Sequence, residues 1–165
     1  MPTGFRERIY SAYLSNRNSP IAPPALTPHG TSQPFLGNII ARHFPKDRDS
    51  RILDIGCGHG AFLFALKKAG YLKVTGVDIS PEQTEAALRL GAGNVLLGDI
   101  GETLRAIEGG SYDVVIAFDV LEHFTKIELI QLLDEISRVL RPGGCLVIHA
   151  PNGESPFGGR IRYWD

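Results

Sequence analysis

The run Arg51-Ile52-Leu53-Asp54-Ile55-Gly56-Cys57-Gly58-His59-Gly60-Ala61 decides how the rest of the chain is read. A short apolar stretch carries a carboxylate, Asp54, two residues before the first of three alternating glycines, and an amphipathic segment follows over 61–69. Strand, Gly-rich turn and helix in that order open a βαβ unit, whose turn presents backbone N–H groups to a ligand at the helix start. Taken formally, Gly56, Gly58 and Ala61 satisfy G-x-G-x-x-G/A, the pattern of a nicotinamide or flavin dinucleotide site. Asp54 argues otherwise: a carboxylate at the mouth of the turn repels a pyrophosphate and suits a ligand bearing an ammonium or sulfonium.

Outward from this turn, short apolar strands alternate with amphipathic helices. Strands are expected at Arg51–Ile55, Lys73–Val77, Asn94–Leu97, Tyr112–Phe118 and Cys145–Ala150. Ser80-Pro81-Glu82-Gln83 supplies an N-cap, a proline at the first helical position and a Gln three residues on, so a helix starts there and stops at Gly91. A short helix spans Glu102–Glu108. Thr125 and Glu128 form a second capping box, opening a helix whose Leu129, Leu132, Leu133, Ile136 and Leu140 share one face until Arg141-Pro142-Gly143-Gly144 stops it. Strands separated by helices predict an α/β fold, a doubly wound, mainly parallel sheet. Ahead of it, seven of the eleven prolines lie within residues 1–45. That segment reads as a helical cap with a Pro-rich loop, ending in a helix marked by Phe35, Leu36, Ile39, Ile40 and Phe44, with Ser32 as N-cap. Residues 46–152 form the ligand-binding domain and 153–165 a Gly/Pro-rich tail.

Ligands of doubly wound sheets sit beyond the carboxyl ends of the strands, and here those ends carry acids. Asp78 closes strand two, 18 positions after Gly60, where it can accept both hydroxyls of a ribose. Asp99 follows strand three and can accept from the exocyclic amine of adenine while Ile79 and Ile100 sandwich the ring; an Asx turn is its structural alternative. Strand four runs into Phe118-Asp119-Val120-Leu121-Glu122-His123.

Composition narrows the partner. Seventeen Lys+Arg against eighteen Asp+Glu leave a net charge of −1, with no basic footprint for nucleic acid. No apolar run approaches the roughly 18 residues of a membrane span, and residues 1–6 lack the core of a secretory signal. A cytoplasmic protein with a small-molecule partner is expected. Cys57 and Cys145, 88 positions apart, suit neither a disulfide framework nor a zinc site.

Together, Ile52–Gly60, Asp78, Gly98-Asp99, Tyr112-Asp113-Val114-Val115, Leu121-Glu122-His123 and Leu140–Gly144 resemble the class I S-adenosylmethionine-dependent methyltransferases over about residues 35–152. The resemblance implies a Rossmann-like fold and S-adenosylmethionine as cofactor, with S-adenosylhomocysteine as product. It places Gly56 and Gly58 against the methionine moiety, with Asp54 receiving its ammonium directly or through water. Asp78 would then hold the ribose, Asp99 the adenine amine, and the backbone of Phe118 would border the methionine end. Strand four lacks the Asn/Asp-Pro-Pro-aromatic run of adenine- and amide-directed members, which points away from base methylation. Members usually continue through two further strands; the sequence ends at Asp165, so a piece of a longer enzyme is expected.

His123 is the candidate general base, with a helix-start structural role as its alternative. Asp119, Glu122 and His123 together form an alternative metal set, although no metal is expected. Cys57 is given no role, His149 ends strand five facing the same edge with a satisfied strand-end histidine as its structural alternative, and Tyr10 and Tyr13 either close over the cofactor or pack the cap. The expected activity is methyl transfer to a small-molecule acceptor. The alternatives are a catalytically silent cofactor-binding module and, more distantly, an NAD-dependent oxidoreductase. Strand five lacks proline or inward charge before Pro151, so self-association through its edge, or cover by the tail, is expected.

Overall fold

The hydrophobic runs around the glycine turn form the middle of a five-stranded parallel sheet. The computed structural model describes residues 33–151, in the order α1 (Gln33–His43), β1 (Ile52–Ile55), α2 (Ala61–Lys68), β2 (Val74–Asp78), α3 (Pro81–Leu90), β3 (Asn94–Leu97), α4 (Ile100–Ala106), β4 (Tyr112–Phe118), a 3₁₀ turn (Leu121–His123), α5 (Lys126–Val139) and β5 (Leu140–His149). Tyr10, Tyr13, Ser32 and the expected tail lie outside the described residues. The strand order is β3-β2-β1-β4-β5, and every pairing is parallel. The order reverses between β1 and β4, so a crevice opens at their carboxyl ends.

Both faces of the sheet are covered, which is why β1 and the middle of β4 are buried and, apart from Asp54 and Asp113, apolar. Side chains alternate across the sheet, so Ile52, Val114 and Ile116 meet α1 and α2 through Leu36, Ile40, Phe44, Leu63 and Leu66. Leu53, Ile55, Val115 and Ala117 meet α4 and α5 through Leu104, Leu132, Ile136 and Val139. Each fully buried Leu, Ile or Val contributes on the order of 1.5–3 kcal/mol. The edge strand β3 is largely exposed.

Three expectations are adjusted. Helix α4 begins at Ile100 rather than Glu102, because the Asp99 side chain accepts the N–H of Glu102 at 3.0 Å and caps it. On α5 the buried face is Leu132, Ile136 and Val139, whereas Leu133 is exposed. Arg141-Pro142-Gly143-Gly144 ends the helix as expected, yet lies inside β5 as an irregularity. The pairing runs from Tyr112↔Leu140 to Val114↔Cys145, so three extra residues bulge out of β5. Asp113 anchors that bulge: it pairs with Nε of Arg141 and accepts the backbone N–H of Arg51 at 2.6 Å.

The caps at Ser80 and Thr125 form where the sequence places them. Thr125 and Glu128 exchange both contacts of a capping box. Ser80 accepts from the N–H of Gln83, but the Gln83 amide turns away toward the crevice.

Candidate active site at the carboxyl ends of the strands

The glycine turn is shaped by its neighbours. Gly56 has φ +69°, and a Cβ there would come within 2.5 Å of the Val120 side chain, so the loop after β4 can close over the turn only if this residue has no side chain. Gly58 has φ +52°, and a Cβ there meets only an ordinary contact with Gln83 at 3.8 Å. The Gly58 N–H instead donates to Asp78 Oδ2 at 2.8 Å, and Ser80 N–H donates to Asp78 Oδ1 at 2.8 Å. The end of β2 and the glycine turn are thereby locked together, and each Asp78 oxygen keeps a lone pair for a ligand donor.

A cavity lies over this junction. Its wall brings together Gly56, Gly58, Asp78, Ile79, Asp99 and Ile100 from the sequence-derived set, and continues through Asp119, Val120, His123 and Phe124. Asp99 is both helix cap and wall; its Oδ1 serves the cap. Two expected residues are elsewhere. Asp54 is 2% exposed, behind the glycine turn, with Oδ1 buried and unpartnered among the described residues. Phe118 points to the α1/α2 face, its ring edge-to-face with Phe62 at 5.5 Å. Gln83 was read only as part of a cap; it is 8% exposed, lines the cavity, and its Oε1 is buried without a partner among the described residues. Its position three residues after an N-cap was the available signal, because the first turn of α3 faces the strand ends.

Electrostatics distinguish the two buried acids. Burial, reinforced by the charge of Asp78, pushes the Asp54 carboxyl well above the usual range, favouring its neutral form. Asp54 is therefore not the ready-made carboxylate that its place before the glycines suggests. Burial also raises Asp78, opposed by N–H donation from Ser80, Gly58 and Ile79. Burial and the nearby acids push the Cys57 thiol upward, away from nucleophilic use. His59 is lowered by burial. Among the described residues no three His, Cys, Asp or Glu side chains could hold a metal ion, so the alternative set Asp119, Glu122 and His123 does not converge as ligands.

Comparison with known proteins decides the family. The profile of the family described as "Methyltransferase domain" matches residues 53–148. The chain belongs to the class I S-adenosylmethionine-dependent methyltransferases. A SAM dependent methyltransferase from Archaeoglobus fulgidus superposes on this chain with a TM-score of 0.65 at 29% identity, covering 76% of this chain and 56% of that one. Phospholethanolamine N-methyltransferase 2 from Haemonchus contortus, solved with phosphomonomethylethanolamine and S-adenosylhomocysteine, matches with a TM-score of 0.63 at 27% identity, over 88% of this chain and 33% of that one. The ubiquinone biosynthesis O-methyltransferase of Chelativorans sp. strain BNC1 is 30% identical over 129 residues, 72% of this chain. The chain spans about half, 49%, of that relative's length.

Its cofactor is S-adenosylmethionine. The residues present fit it: Asp54 has a buried, unpartnered oxygen suited to an ammonium, Asp78 has two oxygens with spare lone pairs, and a side chain at Gly56 would collide with Val120. Among the described residues no helix is long and apolar enough to cross a membrane.

Proposed function

We propose that the protein transfers a methyl group to a small-molecule acceptor by in-line displacement, in the cytoplasm, with no nucleic acid as partner. The observation that carries this is the wall at the switch point, where an anchored Asp78 stands between the glycine turn and the apolar pair Ile79 and Ile100. Bound S-adenosylmethionine supplies an electrophilic methyl on a sulfonium sulfur. Asp78 accepts the ribose hydroxyls, the free oxygen of Asp99 accepts the adenine amine, and Ile79 and Ile100 flank the ring. Gly56 and Gly58 admit the methionine end, with Asp54 as the acceptor of its ammonium behind them, and the end of β4 at Phe118 borders the side from which the methyl leaves. Holding donor and acceptor in line contributes up to ~7–11 kcal/mol to the barrier reduction. His123 stands on the same wall, and its use as a base, worth on the order of 10²–10⁴ in rate, is tested by His123→Ala.

The chain's relatives support small acceptors, with an O-methyltransferase and an N-methyltransferase among them. Titration calorimetry tests the cofactor half: S-adenosylhomocysteine binds in the micromolar range and NAD not measurably, whereas tighter binding of NAD would sink the assignment of these residues. A second reading is a cofactor-binding unit that is silent by itself. Transfer of label from methyl-labelled S-adenosylmethionine to any acceptor excludes it.

A further inference from the structure

At the carboxyl ends of β4 and β5, beside the cavity, two side chains meet that the sequence places 30 positions apart. Phe118 pairs with His149 in the sheet register, and the next residue, Asp119, donates its N–H to the His149 carbonyl at 2.9 Å. The Asp119 carboxylate then reaches Nδ1 of the same histidine at 2.7 Å. Asp119 makes this contact from φ +54°, the one non-glycine with positive φ among the described residues. Such a conformation is uncommon outside glycine and persists where surrounding contacts over-determine it.

The ring of His149 is fixed on more than one side. It stacks on Phe118 with centroids 4.2 Å apart and planes 8° from parallel, and Phe35 of α1 meets its edge at 6.1 Å. With Nδ1 engaged, Nε2 is the remaining polar atom, and among the described residues it has no hydrogen-bond partner. Asp119 also forms part of the cavity wall shared with Gly56, Asp78 and Asp99 and holds His149 just outside that lining. Glu122 completes the surroundings: its Oε2 is buried and unpartnered among the described residues, and burial raises its carboxyl, with the charge of Asp119 adding to the rise and His149 opposing it.

We propose that His149, oriented by Asp119, is the general base of the methyl transfer and that the acceptor is therefore a hydroxyl. An imidazole held by a carboxylate at Nδ1 keeps its proton there and presents a lone pair at Nε2. A neutral amine attacks without first losing a proton, so an oriented base has its use with a weakly acidic O–H. In the step, the acceptor O–H bond breaks and its proton passes to Nε2. The oxygen electron pair forms the new O–CH₃ bond while the C–S pair returns to sulfur, leaving a neutral thioether. Asp119 stabilises the imidazolium until it gives the proton to water. Asp119 is a positioning residue here. The proposal rests on the methyltransferase reading of the same cavity, and binding of S-adenosylhomocysteine tests that reading separately.

Two measurements on the full chain saturated with S-adenosylhomocysteine or S-adenosylmethionine decide it. Nitrogen-15 NMR of the histidine rings, with His149 assigned by His149→Gln, is expected to show neutral His149 protonated at Nδ1, and Asp119→Asn is expected to mix the tautomers. A His149 protonated at Nε2 overturns the proposal. Formation of S-adenosylhomocysteine is then followed with catechol as hydroxyl probe and ethanolamine as amine probe. Methylation of catechol that rises with pH through one ionisation, falls 10²–10⁴-fold in His149→Gln and is partly rescued by Asp119→Glu over Asp119→Asn supports it, provided the dissociation constant for S-adenosylhomocysteine is unchanged. Equal turnover by His149→Gln, loss confined to His123→Ala, or methylation of ethanolamine alone overturns it. If neither probe is methylated, the tautomer decides.

Discussion

On the β1–β2 side of the cavity the polar groups are sunk into the fold and held by backbone. Asp78 takes N–H groups from Gly58 and Ser80, and Asp54 is 2% exposed with an oxygen in reserve. On the β4–β5 side they stand half out of it. The side chains of Asp119 and His149 are 50% and 43% exposed and hold each other. The first arrangement suits an invariant ligand with a fixed set of donors. The second leaves one face open to solvent, where differing acceptors can enter, and keeps its acid and its imidazole near water so that protons can come and go. In the proposed reading, depth of burial separates gripping the cofactor from handling a proton.

The strongest way to break the comparison is to disturb the buried side. Gly56→Ala adds a left-handed conformational cost and a collision with Val120, together on the order of 2–5 kcal/mol of stability, and should abolish binding of S-adenosylhomocysteine. Gly58→Ala in the same turn meets only an ordinary contact with Gln83 and should cost about 1–2 kcal/mol. Chemical denaturation of both variants checks the difference; equal losses would mean that Val120 does not clamp the turn.

Asp78→Ala should weaken S-adenosylhomocysteine by ~2 kcal/mol or more, since ligand hydroxyls lose a charged acceptor. Calorimetry reads this directly, and an unchanged dissociation constant would move the ribose site elsewhere.

Asp54 sharpens the comparison through protons. Its carboxyl is raised in the folded protein, so it favours folding while both states are protonated, and that contribution is lost as pH rises through its folded value. Asp54→Asn should therefore raise the melting temperature of the cofactor-free protein near neutral pH while weakening cofactor binding by roughly tenfold, about 1.4 kcal/mol. Below the raised value, binding an ammonium should release a proton from Asp54, seen as a calorimetric heat that changes with the buffer's ionisation enthalpy. Identical heats in all buffers would place the ammonium elsewhere.

The smallest effect concerns the open side. Ile148 on the edge strand is 51% exposed, and pairing of β5 with a second copy should give a weak dimer whose fraction rises with concentration in light scattering. Ile148→Lys should abolish it, and protected β5 amides in a strict monomer would point to cover from within the chain.

Much of the cofactor side was legible because its signals are local. Strand, glycine turn and helix follow one another over Ile52–Lys68, the cap at Ser80 is read within four residues, and the acids sit at strand ends that apolar runs announce. Where the reading slipped, a distant contact had intervened. Arg141-Pro142-Gly143-Gly144 has the composition of a turn whether or not a strand continues through it, and Asp113 on the neighbouring strand makes it a bulge within β5. Leu133 and Val139 exchange roles because the part of α5 that faces α4 depends on how the two helices pack, with Arg138 donating to the carbonyls of Leu104 and Ile107.

The sequence by itself determined the family, the parallel sheet and the line of acids along its carboxyl edge, since these depend on residue type and short spacing. Only the tertiary structure decided that Asp54 is buried beyond easy ionisation, that Gln83 faces the cavity, and that Asp119 and His149 form a pair. The physical reason is that burial and pairing belong to neighbours brought together by the sheet. In chain order Asp119 and His149 stand 30 residues apart, and the β4–β5 register alone makes them touch.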